Sequence, residues 1–280
     1  MGNTGSIKLG KRLAHGATSE ILLPKEEKKY PNIVIKKIHR HHNYWGKNEI
    51  LYLSNYKHPN IITMVDYYEH RSHVYICLEK MDTDLFEHCV DNVRISVSEI
   101  KSYFSQICSA VEFLHKRGIA HRDIKLENIL LCKTRNIVKL CDFGFAIEER
   151  MSSDKCGSIS YLAPEVVKSE PHYSCPLDIW ALGVCLYALV YNDLPFVLSR
   201  LDTNEEICGN ILQNKPKYPE FSDKKLVDLT RLLLTSEPEK RPKITDITSL
   251  SFLAENDEEP SVVEDEELSV KEKPKGLVLV

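Results

Sequence analysis

The sequence predicts an α+β chain, and two observations carry that prediction. Five short runs rich in branched and aromatic residues fall at 7–13, 21–23, 33–38, 62–68 and 74–79, the composition and length of strands in one antiparallel sheet. Beyond them the apolar spacing changes to the helical period. One helix interrupts the strand-like runs: Glu49 opens an apolar spacing through Ile50 and Leu53, ahead of the turn His58-Pro59-Asn60-Ile61.

The helical part can be read element by element. Ile100, Phe104, Ile107, Val111 and Leu114 form one face of a helix, Ser96 and Glu99 have the spacing of a capping box at its start, and Gly118 ends it. Residues 178–191 are apolar nearly all round, which predicts a buried central helix too short to span a bilayer. With 280 residues and 42% hydrophobic content, the chain fits one domain over residues 7–253 and a tail over 254–280. Residues 255–267 hold eight acids and no base, so the tail reads as a solvated, disordered segment, the alternative being an acidic regulator folded back on the domain. It closes on Gly276-Leu277-Val278-Leu279-Val280, an apolar end able to add a strand to a partner's sheet.

Composition excludes several classes of function. Nine cysteines without metal-ligand spacing predict free thiols in a reducing compartment, cytoplasmic or nuclear. No signal peptide is expected from this sequence, and no basic stripe interleaved with aromatics argues for nucleic acid. Met1-Gly2-Asn3-Thr4-Gly5-Ser6 fits an N-myristoylation pattern, so a membrane tether is expected only if Gly2 is acylated. His39-Arg40-His41-His42 has no acid or cysteine beside it and reads as a solvated link, not a metal site.

The chemistry lies in three motifs: His121-Arg122-Asp123-Ile124-Lys125-Leu126-Glu127-Asn128, then Asp142-Phe143-Gly144, then Ala163-Pro164-Glu165. In this order they resemble the protein kinase signature. The resemblance covers residues 7–253 and implies a two-lobed fold, with a five-stranded antiparallel N-lobe of about residues 7–79 and a larger, mainly helical C-lobe of about 82–253. It implies ATP and Mg²⁺ as cofactors. Asp123 would orient a substrate hydroxyl and accept its proton, Lys125 would reach the transferring phosphate, and Asn128 and Asp142 would supply oxygen ligands to the metal. Lys36, closing Ile33-Val34-Ile35-Lys36, would hold the nucleotide phosphates with Glu49 as its ion-pair partner.

Further positions follow from the same resemblance. The glycine loop falls on Ala14-His15-Gly16-Ala17-Thr18-Ser19-Glu20-Ile21 and keeps only its middle glycine. Leu13, Ala14, Gly16 and Ile21 would line the nucleotide, with Leu78 as gatekeeper and the hinge running from Glu79 to Met81. Cys141 would border that cleft as a small apolar residue. Asp178 would accept hydrogen bonds from the catalytic-loop backbone, and Arg241 would pair with Glu165. Lys125 and Gly157-Ser158 resemble kinases that act on serine or threonine hydroxyls of proteins. Glu127, with Asp84 as a second carboxylate, would favour arginine near the acceptor. In the activation segment the usual phosphothreonine position holds Asp154, able to pair with Arg122, and Ile147 replaces a lysine of phosphate-regulated relatives. Together these predict activity without segment phosphorylation, the alternative being a switch at Ser152 or Ser153. The group most resembled is that of the calcium/calmodulin- and AMP-regulated kinases. Rival readings are a pseudokinase scaffold with an impaired nucleotide loop and a small-molecule kinase, which Ala163-Pro164-Glu165 and Ser158 disfavour.

Overall fold

A computed structural model describes residues 7–253 apart from Ala17, Ser72, Val93 and Arg200. The acylation pattern and the acidic tail lie outside the described residues. Strands β1 (Leu9–His15), β2 (Ser19–Pro24), β3 (Ile33–Ile38), β4 (Met64–His70) and β5 (His73–Glu79) form one antiparallel sheet in the order β1-β2-β3-β5-β4. Helix α1 (Asn43–Asn55) follows β3 and packs on one face. The strand period sorts the side chains: Val74, Ile76 and Leu78 join the main core with Ile38 and Leu53, while Tyr75 and Cys77 face the other way onto Ile7 and Ile35.

β4 begins at Met64 instead of the expected residue 62. Ile61 and Ile62 are apolar and buried, but they are used between the lobes. The Ile62 N–H donates to the Leu140 carbonyl at 2.9 Å and the Leu140 N–H to the Asn60 carbonyl at 2.8 Å. That backbone pairing takes the donors a sheet would have needed.

The C-lobe contains α2 (Leu85–Asp91), α3 (Val97–His115), α4 (Pro164–Val167), α5 (Cys175–Tyr191), α6 (Asn204–Gln213), α7 (Lys224–Leu233) and α8 (Ile244–Thr248). Its short strands are β6 (Thr83–Asp84), β7 (Ile119–Ala120), β8 (Ile129–Cys132), β9 (Ile137–Leu140), β10 (Ile147–Glu148), β11 (Met151–Ser152) and β12 (His172–Tyr173). The Ser96 hydroxyl accepts from the Glu99 N–H and the Glu99 carboxylate from the Ser96 N–H, closing the capping box of α3. The five apolar positions along α3 are all buried. Helix α5 is buried along almost its whole length, which explains its lack of a polar face. None of the helices among the described residues is long and apolar enough to cross a membrane.

Glu165 at the start of α4 and Arg241 before α8 are both buried and meet through two parallel bonds of 2.7 Å. The guanidinium also donates to the carbonyls of Thr235, Ser236 and Pro176. A buried pair so satisfied is costly to break on one side only. Arg241→Met should therefore lower the free energy of unfolding in denaturant by about 3–5 kcal/mol, and adding Glu165→Met should recover part of the loss.

Candidate active site

Strand register places the first cluster. Ala14 pairs with Ile21, Ile21 with Lys36 and Lys36 with Ile76, so the expected nucleotide loop and Lys36 lie in one row across the sheet. Gly46 lets α1 approach β5: a Cβ there would lie 3.0 Å from Ile38 and 3.3 Å from Val74. That approach brings Glu49 to Lys36, with Nζ to Oε2 at 2.8 Å, and Lys36 also meets Asp142 Oδ1 at 3.0 Å. Burial opposes a charge on Lys36, but the Asp142 and Glu49 carboxylates outweigh it and hold the ammonium firmly protonated. Burial likewise pushes Glu49 up, against the pull of Lys36. Asp142 feels the same burial, yet Lys36 brings its carboxyl below the usual carboxylate range.

The second cluster hangs from Asp178, which is wholly buried on α5. Its carboxylate accepts from the His121 and Arg122 N–H groups at 2.8 Å each and contacts His115 Nε2 at 2.8 Å. So anchored, Arg122 takes a left-handed φ of 66° and the chain turns to present Asp123. Asp123 accepts from Asn128 Nδ2 at 2.9 Å, from both the N–H and the hydroxyl of Ser158 at 3.1 Å, and lies 3.2 Å from Lys125 Nζ. Lys125 donates to the Ser158 hydroxyl at 2.7 Å. His121 is wholly buried, and burial keeps its imidazole neutral despite the carboxylates around it. One ring nitrogen accepts from the Asp123 N–H, the other reaches the Cys141 carbonyl at 3.0 Å, and the ring stands edge-on to Phe143 at 4.8 Å.

The activation segment is tied down at several points. β10 pairs with β7 and β11 with β12. The Glu149 carboxylate accepts from the Cys175 N–H at 2.8 Å, capping α5. Arg122 donates through Nε to the Phe145 carbonyl at 2.8 Å and through Nη1 to Asp154 Oδ2 at 3.2 Å. The bond from Arg122 holds the Asp154 carboxyl below its ordinary value. The Ser152 hydroxyl accepts from the Asp154 N–H, while Ser153 is exposed.

The family model for the protein kinase domain matches residues 7–253. The chain belongs to the protein kinase family. The mitosis inducer protein kinase cdr1 of Schizosaccharomyces pombe is 36% identical over 241 residues, which cover 85% of this chain and 40% of that protein. The serine/threonine-protein kinase SIK2 of Gallus gallus is 37% identical over 201 residues, 70% of this chain and 25% of that one. The probable serine/threonine-protein kinase HSL1 of Saccharomyces cerevisiae is 28% identical over 271 residues, 86% of this chain and 18% of that one. The chain thus spans less than half the length of each of these relatives.

The remaining expected positions of this kinase domain fall into place unevenly. Neither Ala14 nor Ser19 has a positive φ, nor does Gly16, so the β1–β2 hairpin keeps its shape without the missing glycines. Leu13 is half exposed and Ile21 partly buried along it. At the hinge, Met81 packs on the core, but the Glu79 side chain is turned away to Lys139 at 2.5 Å and the Thr63 N–H at 2.7 Å. The Glu79 N–H also donates to the Thr63 carbonyl, at 3.0 Å. Asp84, expected as a second substrate carboxylate, caps α2 by accepting from the Glu87 N–H through Oδ1 at 2.9 Å, which leaves Oδ2 free of that bond. Glu127 is half buried, takes a hydrogen bond from the Tyr161 hydroxyl at 3.3 Å, and has its carboxyl pushed up by burial.

The donors left over suit a hard divalent cation. Asn128 Nδ2 is spent on Asp123, leaving its carbonyl oxygen, and the Asp142 carboxylate keeps 34% side-chain exposure beside Lys36. The Cys141 N–H bonds to the Asn128 backbone carbonyl at 2.9 Å, leaving the side-chain Oδ1 untouched, and so links the two donors through neighbouring strand ends. The sequence did not single out Asn48, Trp45, Tyr161 or Glu149, whose roles here depend on contacts to backbone or rings. Gly157 has φ 102°, and a Cβ there would lie 2.9 Å from the Arg122 carbonyl oxygen. Gly157→Ala is expected to destabilise the fold by about 1–3 kcal/mol in thermal or denaturant unfolding.

Proposed function

We propose that the chain transfers the γ-phosphoryl group of ATP to serine or threonine hydroxyls of protein substrates. The observation that carries this reading is the constellation around Asp123: a carboxylate held by Asn128, Lys125 and Ser158, beside a lysine paired with both Glu49 and Asp142. Asp123 orients the attacking hydroxyl and takes its proton as the new O–P bond forms and the bond to the ADP leaving oxygen breaks. Lys125 adds positive charge where the transferring group gathers negative charge. Lys36, kept charged by its carboxylates, holds the nucleotide phosphates, and Asn128 and Asp142 would hold Mg²⁺. That ion, when bound, offsets the charge of the phosphate oxygens. The scaffold alternative has little left to support it, since its case rested on Ala14 and Ser19, and neither needs a glycine's conformation.

The purified chain is expected to phosphorylate a serine/threonine peptide library, with Asp123→Asn reduced to background in a radiolabel assay. Silence of the native chain at saturating Mg-ATP would reject the reading. Substrate choice rests on Glu127, with Asp84 beside it: the cap uses Asp84 Oδ1 and leaves Oδ2 as a second acceptor. Arginine near the acceptor gains a charge-assisted bond to the Glu127 carboxylate. Glu127→Gln should reduce arginine selection on a peptide array by roughly tenfold without removing transfer.

Asp154 stands in for an activating phosphate. Its lowered carboxyl pKa means that the Arg122 pair is fully present above the ordinary value of 3.8 and is lost only as pH falls through the lowered value. A phosphate would change its charge near pH ~6. The phosphatase-treated protein should therefore be active, with no step from the segment between about pH 5 and 8. Because Asp154 is half exposed, Asp154→Ala is expected to lower kcat by only about two- to fivefold. Full dependence of activity on phosphate at Ser152 or Ser153 would overturn this account.

A further inference from the structure

One face of α1 is docked on the turn that follows Asp142. Asn48 Nδ2 lies 3.2 Å from the Phe143 carbonyl oxygen, 3.0 Å from that of Gly144 and 2.8 Å from that of Ala146. A 3₁₀ turn over Phe143–Phe145 gathers these acceptors in one place. Three residues earlier on the helix, the Trp45 ring lies 5.1 Å from the Phe145 ring. A Cβ added at Gly144 would lie 3.3 Å from that of Trp45. His42 stacks on Trp45 at 4.6 Å, and one turn beyond Asn48 the Tyr52 ring lies 6.5 Å from Phe143. The spacing 45, 48, 52 puts three of these side chains on one stripe of α1, with His42 in the turn just before the helix.

We propose that Asn48 is a positioning residue whose amide latches α1 to residues 143–146 and so holds Glu49 against Lys36. The two residues are adjacent in the chain, so a helix fixed by Asn48 has no freedom to withdraw Glu49. The latch is neutral and ends on backbone carbonyls, so no phosphate takes part in closing it. Losing the amide would leave the Gly144 and Ala146 carbonyls without this half-buried donor. A carboxylate at the same place would set oxygen against oxygen. The catalytic consequence rests on the kinase reading above, whereas the latch itself does not.

The chain has two tryptophans, and Trp180 is wholly buried, so acrylamide quenching of fluorescence reads Trp45. Quenching and steady-state kinetics should be compared for the phosphatase-treated full chain and its Asn48→Ala, Asn48→Asp and Asn48→Gln variants. Asn48→Ala is expected to raise quenching and lower kcat by about five- to thirtyfold, the scale of one or two lost hydrogen bonds, with peptide KM changed less than about twofold. Asn48→Asp should fall further and Asn48→Gln should recover part of both signals. Native quenching in Asn48→Ala and Asn48→Asp would overturn the latch, and raised quenching with native kcat would overturn its positioning role. If the native chain transfers no phosphate, the quenching comparison alone decides the latch, because it reads the docked helix and not turnover.

Discussion

The buried carboxylate of Asp178 takes hydrogen bonds from the His121 and Arg122 backbone and contacts His115, and the loop that carries Asp123 is fixed by it. A carboxylate without solvent is costly, and charge-assisted bonds from several donors are what make it tolerable. The bonds arrive on the two residues that precede Asp123, so the base inherits its direction from the buried central helix of the larger lobe. The same residues carry the order outward. His121 reaches the Cys141 carbonyl and the Phe143 ring, while Arg122 reaches Phe145 and Asp154.

Joining the two lobes is a matter of charge. Lys36 comes from the sheet, Glu49 from α1 and Asp142 from the chain after β9, so one ammonium collects carboxylates from separate elements. If Glu49 or Asp142 withdraws, Lys36 loses one of the two carboxylates that hold it charged in a buried place. The contacts of Asn48 and Trp45 add a neutral second seam beside this charged one.

Sequence reveals the parts of this site whose chemistry demands a residue type. Lys36, Glu49, Asp123, Asn128 and Asp142 stand at telling intervals, and the structure brings them into two adjoining clusters. Asn48 was hidden because its acceptors are backbone carbonyls, which every residue carries. Asp84 also serves as a cap, readable from Glu87 three residues later at a helix start, a role its acidity alone does not announce. The start of β4 was missed for a similar reason: Ile61 and Ile62 look the same to a periodicity count whether they join a sheet or bridge to Leu140. The apolar stretch of α5 was legible because a helix buried on all sides needs no polar stripe.

The row Ala14, Ile21, Lys36 and Ile76 makes the sheet an indexing device. Its alternation puts Lys36 on the side of Ile76, and the opposite side is already filled by Ile35, Tyr75 and Cys77. A single-residue insertion or deletion inside β3 would turn Lys36 over onto that apolar face and bring an isoleucine or the next lysine into the cleft. The eight residues between β2 and β3 carry no such phase. A change of length in that connection leaves the phase of β3 intact, whereas three nucleotides gained or lost a few codons later would erase the site while leaving a sheet.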